Sequence, residues 1–267
     1  MTYRSFLALT AMLVAPLGMA ACAEDGATVE GGSTAQPPIT DEEFDRMLRE
    51  ALMRRPEVII EAIETFRAQM EADAESASRE VLAGLVPELV EARSGHAIGA
   101  SADDAEIVVV EFFDYHCGFC KRALDDVIAL VDDNPSVRVV FQELPILRDE
   151  SRTAALSALA AGIDGGPQAY SAVHLELMRT EGTLDQKAVD AALRRAGASP
   201  RDVARVIDER SDTIEATLDR SIEMARNAGV SGTPYFVIIN TNTDDIELLN
   251  GYTPDRFAAA FEAISKQ

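Results

Sequence analysis

The sequence predicts an α/β protein: a strand–helix–strand unit, a long helical block, and a closing hairpin with a final helix, all behind an N-terminal helical segment. Three observations predict it. Residues 106–113 (EIVVVEFF) and 137–144 (VRVVFQEL) are short β-branched and aromatic runs, which read as buried strands. Between them Ala123, Leu124, Val127, Ile128 and Val131 recur at helical spacing until Asn134-Pro135 ends the run. A second pair of short apolar runs, 235–240 and 246–249, is joined by the polar stretch 241–245 and reads as a hairpin.

The chain begins with a segment that reads as an export signal over residues 1–22. One cation, Arg4, precedes an apolar run from Phe6 to Ala21 that is short for a membrane span and carries Pro16 and Gly18 near its end. Met19-Ala20-Ala21-Cys22 resembles a lipobox, which makes Cys22 a candidate for lipidation and a membrane tether, although Met19 stands where Leu is usual. Ala21-Cys22-Ala23 also fits ordinary signal cleavage. Residues 23–39, rich in Gly, Ala, Thr, Ser and Pro, read as a flexible linker.

Residues 40–93 read as helical. Thr40 with Glu43 makes a capping box, and Phe44, Met47, Leu48, Ala51 and Leu52 follow at helical spacing. Pro56 suits the first turn of a second helix, whose apolar stripe runs through Ile59, Ile60, Ile63, Phe66 and Met70, thins over 71–78, and resumes at Val81, Leu82, Leu85 and Val86. A long thin helix covers little of its own surface, so this face is expected on another subunit, with packing on its own domain as the competing reading. Residues 94–104 read as a hinge.

The main domain is expected over 100–267. Helices are expected at 154–163, 167–178, 184–196 and 200–228, within an insertion over about 150–228. The turn-rich Gly229-Val230-Ser231-Gly232-Thr233-Pro234 precedes the hairpin, and Thr253-Pro254 opens the last helix. A strand–helix–strand unit favours a parallel pair with a right-handed crossover. The order of elements is that of a thioredoxin core with an inserted helical domain.

The formal charge of −22 argues against nucleic acid as a partner, because phosphate would be repelled. Three cysteines occur. Cys117 and Cys120 would close too small a loop to brace a fold, so in an oxidising compartment the pair reads as a reagent. Cys117 sits where a strand hands over to a helix, whose unpaired N–H groups favour an anion. Cys120 lies one turn inward and should be more buried. Cys117 is therefore the expected nucleophile and Cys120 the resolving thiol. Zinc would need four N/S ligands and finds only this pair, so no metal site and no cofactor is expected; two thiolates could take Cu(I) as a side role.

Around the pair, His116 is a candidate to lend positive charge or move a proton, against the alternative of a plain turn residue. His174 reads as structural, and His96 carries no argument. Glu111, between Val110 and Phe112, is expected to be buried with a raised pKa and to relay a proton to or from Cys120. Asp114 reads as more exposed in the turn, and Lys121-Arg122 as a solvated cationic face. Pro234, just before a strand, is a candidate for a cis bond that presents the backbone of Thr233 to an extended substrate.

Two stretches carry a resemblance. Val109 to Lys121 (VVEFFDYHCGFCK) and Gly229 to Val237 (GVSGTPYFV) resemble the DsbA family of thioredoxin-fold proteins, over roughly 100–267. The resemblance implies the helical insertion, a cis Thr233–Pro234 bond and Glu111 as the buried acid. The N-terminal helices, with Arg-Pro-Glu-Val-Ile at 55–59, are similar to the suppressor-of-copper-sensitivity protein C (ScsC) and Com1-like branch, some of whose members are oligomeric isomerases. Gly118-Phe119 between the cysteines and Thr233 before the proline look more like DsbC-type isomerases than like the oxidase pattern. Together with Pro234 they are the expected substrate-contacting residues.

These readings converge on a periplasmic, homo-oligomeric disulfide isomerase or reductase. Its expected partners are exported proteins with cysteines and a membrane redox partner. A thiol oxidase is the alternative, and a Cu(I)-binding module a more distant one.

Overall fold

The computed structural model describes residues 39–266, so the export signal, Cys22 and almost all of the linker lie outside the described residues. The chain divides into two units at Val58 and Ile59. In the first, helix α1 (Asp41–Arg54) starts as the capping box requires. Thr40 Oγ1 accepts from the Glu43 N–H at 3.3 Å, and Asp41, Glu42 and Glu43 fill the electropositive first turn. None of its residues is buried.

Helix α2 (Glu57–Val90) runs on through Pro87. Its stripe meets two fates. Ile59, Ile60, Ile63, Phe66 and Met70 stay exposed, whereas Leu82 and Leu89 are fully buried. Docking begins near Ser78, whose hydroxyl donates to the Ala228 carbonyl, and Arg79, whose guanidinium donates to the Ile246 carbonyl. Farther along, Glu88 accepts from Arg220 at 2.8 Å. The apolar face of the last turns therefore packs on its own domain.

The second unit is built on a five-stranded sheet in the order β1-β3-β2-β4-β5: β1 (His96–Gly99), β2 (Ile107–Phe113), β3 (Val137–Glu143), β4 (Tyr235–Asn240) and β5 (Ile246–Asn250). β2 and β3 are parallel, with Val109 opposite Val139 and Phe113 opposite Glu143. The crossover between them is α3 (Gly118–Asp133). β4 lies antiparallel to β2 and forms the hairpin with β5. The stretch expected to be a hinge contains the edge strand β1, antiparallel to β3. A four-residue HAIG run has no alternation to announce it, and pairing with β3 supplies its order.

The insertion comprises α4 (Asp149–Arg179), α5 (Gln186–Arg195), α6 (Pro200–Glu209) and α7 (Ser211–Asn227). α4 is two helices joined at Gly166, whose φ of 75° is open to glycine, and Pro167 begins the second, as the sequence suggested. Asp185 and Ser199 cap α5 and α6. The final helix α8 (Pro254–Ser265) starts from its Thr253 cap.

Alternation along β2 divides the core. Val109 and Phe113 face a cluster with α3, α8 and the insertion, while Val108, Val110 and Phe112 face a cluster with α2 and α7. Glu111 shares the parity of Val109 and Phe113, so it points toward the side of the sheet that α3 covers.

Candidate active site

The Cys-x-x-Cys pair sits at the joint between β2 and α3, at the C-terminal end of the central strand. Cys117 is the N-cap of α3: its backbone is extended (φ −75°, ψ 112°), and its sulfur accepts from the Cys120 N–H at 3.5 Å. The segment before it is a closed turn, with the Cys117 N–H donating to the Asp114 carbonyl at 2.9 Å. Both thiols are free, and Cys120 is fully buried whereas a small part of Cys117 reaches solvent.

Their chemistry diverges accordingly. The Cys117 thiol is held down to about 6, first by its hydrogen bond with the Cys120 thiol, then by the Thr233 side chain and the N–H groups of Cys120 and Phe119; partial burial opposes them. Cys120 is pushed well above the ordinary thiol range, chiefly by burial, with the hydrogen bond to Cys117 and the neighbouring charges of Glu111 and Cys117 adding to it. One sulfur is suited to be a thiolate at neutral pH and the other to keep its proton.

Glu111 is fully buried, and among the described residues neither carboxylate oxygen has a hydrogen-bond partner. Burial, and next the Cys117 charge, push its pKa well up. The Thr233–Pro234 peptide is cis. The Cys117 thiol donates to the Thr233 carbonyl at 3.1 Å, which brings together two motifs more than a hundred residues apart. Phe119 is 51% exposed, and the Arg122 guanidinium lies 4.1 Å over its ring. Gly118 begins α3 and is exposed beside it.

Three expectations need correcting. Asp114 is almost fully buried, because its carboxylate is occupied: Oδ1 accepts from the His116 N–H (2.7 Å) and the Ser151 hydroxyl (2.7 Å), and Oδ2 from the Leu147 N–H (2.9 Å). Lys121 is half-buried and donates to the Thr180 carbonyl, so only Arg122 forms the solvated face. His116 is not a free turn side chain. Nε2 accepts from the Leu184 N–H at 3.0 Å, and Nδ1 lies 2.8 Å from Ser151 Oγ. Burial lowers its pKa, so it is a poor source of positive charge.

A second buried group lies behind the motif. Glu143, at the end of β3, accepts from the hydroxyls of Tyr115 (3.0 Å) and Tyr170 (2.9 Å), and Tyr115 also lies 3.2 Å from His174 Nδ1. Burial pushes the Glu143 carboxyl up to about 8. Sequence reasoning missed it, because the last residue of a strand ordinarily reaches solvent. Among the described residues, no group of three or more His, Cys, Asp or Glu side chains is arranged to hold a metal.

The family model of the DSBA-like thioredoxin domain matches residues 108–262, more than half the chain. The chain belongs to this DSBA-like family. A thioredoxin-like oxidoreductase from Silicibacter pomeroyi DSS-3 is similar at 31% identity and a TM-score of 0.58, covering 67% of this chain and 97% of that one. The catalytic domain of Proteus mirabilis ScsC is 27% identical with a TM-score of 0.60, covering 71% of this chain and 99% of its own. ScsC of the same organism in a transitional conformation is also 27% identical (TM-score 0.59) and covers 85% of this chain and 97% of its own. Among curated proteins, the Na(+)/H(+) antiporter NhaA 3 of Salinispora tropica is 29% identical over 161 residues, 59% of this chain. The chain spans only 24% of that protein's length, and the activity in its name belongs to that protein. Among the described residues, no helix is long and apolar enough to cross a membrane. The DSBA-like domain is thus an oxidoreductase fold with Cys117, Cys120, Glu111, Thr233 and Pro234 gathered at one end of its sheet.

Proposed function

We propose that the protein is a periplasmic thiol–disulfide oxidoreductase that works on exported proteins as an isomerase or reductase. The observation that carries this reading is the divided pair: Cys117 poised as a thiolate at a helix N-cap, with Cys120 buried and protonated one turn away. The Cys117 thiolate attacks one sulfur of a substrate disulfide, forming a mixed disulfide and releasing the other substrate sulfur as a thiolate. In the reductase course Cys120 loses its proton and attacks Cys117 Sγ. The second substrate thiolate leaves, the substrate gains two electrons, and the protein is left with a Cys117–Cys120 disulfide. In the isomerase course the freed substrate thiolate attacks another disulfide of the substrate, and the thiolate released there attacks the substrate sulfur of the mixed disulfide, so a new substrate disulfide forms and Cys117 departs reduced.

Glu111, held protonated chiefly by burial and next by the Cys117 charge, is suited to relay a proton to or from Cys120. While Cys117 is a thiolate, its charge helps to keep Glu111 protonated. Once that sulfur is tied in the mixed disulfide the charge is gone, and the buried carboxylate ionises more readily. Phe119, Gly118 and the Thr233–Pro234 segment flank the sulfur and supply the substrate-contacting surface. The exposed stripes Phe44, Met47 and Leu48 of α1 and Ile59, Ile60, Ile63 and Phe66 of α2 support a homo-oligomer.

A second reading, a thiol oxidase recharged by a membrane partner, is favoured by the low Cys117 pKa itself. A stabilised thiolate stabilises the reduced form and makes the disulfide more oxidising. Refolding of scrambled ribonuclease in a redox buffer decides between them. Recovery that vanishes in Cys117→Ser supports the isomerase. No recovery, with fast oxidation of a reduced dithiol peptide, makes the protein an oxidase.

A further inference from the structure

The ring of His116 has its hydrogens assigned by its neighbours. A backbone N–H can only donate, so the Leu184 N–H bonded to Nε2 at 3.0 Å requires a lone pair there. The proton of the neutral ring therefore sits on Nδ1 and donates to Ser151 Oγ at 2.8 Å. Ser151, fully buried on α4, in turn donates its own hydroxyl hydrogen bond to Asp114 Oδ1 at 2.7 Å. Asp114 Oδ1 also accepts the His116 N–H, which closes a ring of contacts around the residue before Cys117. Each donor in this relay has one acceptor, and no freedom of tautomer is left.

The same stretch of the insertion grips the motif from its other side. Lys121, four residues beyond Cys117, donates to the Thr180 carbonyl, while Leu184 holds His116. The α4–α5 connection thus brackets the nucleophile in the chain. The Cys117 thiolate depends on contacts that are sensitive to distance, the Cys120 N–H at 3.5 Å and the neighbouring Cys120 and Thr233 groups.

We propose that His116, held as the neutral Nδ1–H tautomer, is a positioning residue that works with Ser151 and Asp114 to register Cys117 against the helical insertion. It does not act as a source of charge or of a catalytic proton. The charged groups facing the ring are Asp114, Arg148, Lys121 and Glu150, and they are of mixed sign, with Arg148 and Lys121 opposing a second proton. The proposal rests on the reading of Cys117 as the nucleophile, but its test can fail separately from disulfide exchange.

The test has two arms on the intact protein. Long-range proton–nitrogen NMR reads the tautomer of each of the three histidines, and the signal lost in His116→Asn identifies the one in question. The expected pattern at pH 7 is a protonated Nδ1 and a bare Nε2; a proton on Nε2, or on both nitrogens, overturns the proposal. The second arm follows iodoacetamide alkylation of Cys117 at pH 6. Ser151→Ala loosens the register of Cys117 against the groups that hold its thiolate, so less of the thiol is ionised and the rate should drop about fivefold. The double variant with His116→Asn should drop no further, because both break one relay. An unchanged rate in a folded Ser151→Ala protein, or two effects that simply multiply, would contradict the coupling. Should Ser151→Ala not fold, the tautomer in the unaltered protein still decides. A protein with the expected tautomer but no disulfide exchange would overturn the proposed function and leave this inference standing.

Discussion

The two sulfurs of the motif are one helical turn apart, and their fates separate because a helix N-cap is not like the turn that follows it. At the cap a sulfur meets unpaired N–H groups and keeps an edge in solvent; one turn in, Cys120 is walled by the sheet and by Glu111. Glu111→Gln removes the group suited to relay the Cys120 proton while keeping its shape. Alkylation of Cys117 should be nearly unchanged, whereas release of a preformed mixed disulfide should slow by at least about tenfold. Stopped-flow of the two steps checks this, and equal slowing of both would assign Glu111 to the fold rather than to resolution. Cys120→Ser should trap that mixed disulfide through Cys117, visible as a covalent adduct by mass spectrometry.

At the scale of elements, α2 is one helix with two environments. Leu82 lies wholly within the cluster under the sheet, so Leu82→Ala should cost about 2–5 kcal/mol in urea unfolding. Ile63→Ser with Phe66→Ser touches only exposed side chains, and should leave that unfolding midpoint unchanged while dissociating the proposed oligomer in light scattering. The periodic stripe of α2, the parallel β2–β3 pair, the β4–β5 hairpin and the capped helices could all be read from the sequence, because each is set by local pattern. β1 could not, since its order comes from pairing with β3, forty residues on. The site divides in the same way. Cys117, Cys120, Glu111 and the Thr233–Pro234 turn stand out as residue types in a telling local context. The burial of Asp114 and the contacts of the His116 ring could not be read, because their partners Ser151, Leu147 and Leu184 are contributed by segments that become neighbours only on folding.

Across the whole molecule, the buried acid behind the motif links stability to pH. Glu143 keeps its proton up to about 8 when folded, against an ordinary value of 4.5. Between those values the folded state binds more protons than the unfolded one, so its contribution to stability falls as pH rises across that window. Glu143→Gln should flatten this decline. The urea midpoint should change less between pH 5 and pH 8 than in the unaltered protein, and an equal change in both would place the dependence elsewhere.

The proposed chemistry depends on Cys117 being the thiolate and Cys120 the protected thiol. Alkylation of the reduced protein across pH, with the modified residue located by mass spectrometry, tests this most directly. The expected result is modification at Cys117 alone, half-maximal near a pH of about 6, with Cys120 untouched through neutral pH. A midpoint at the free-cysteine value of about 8.5, or modification beginning at Cys120, would contradict it.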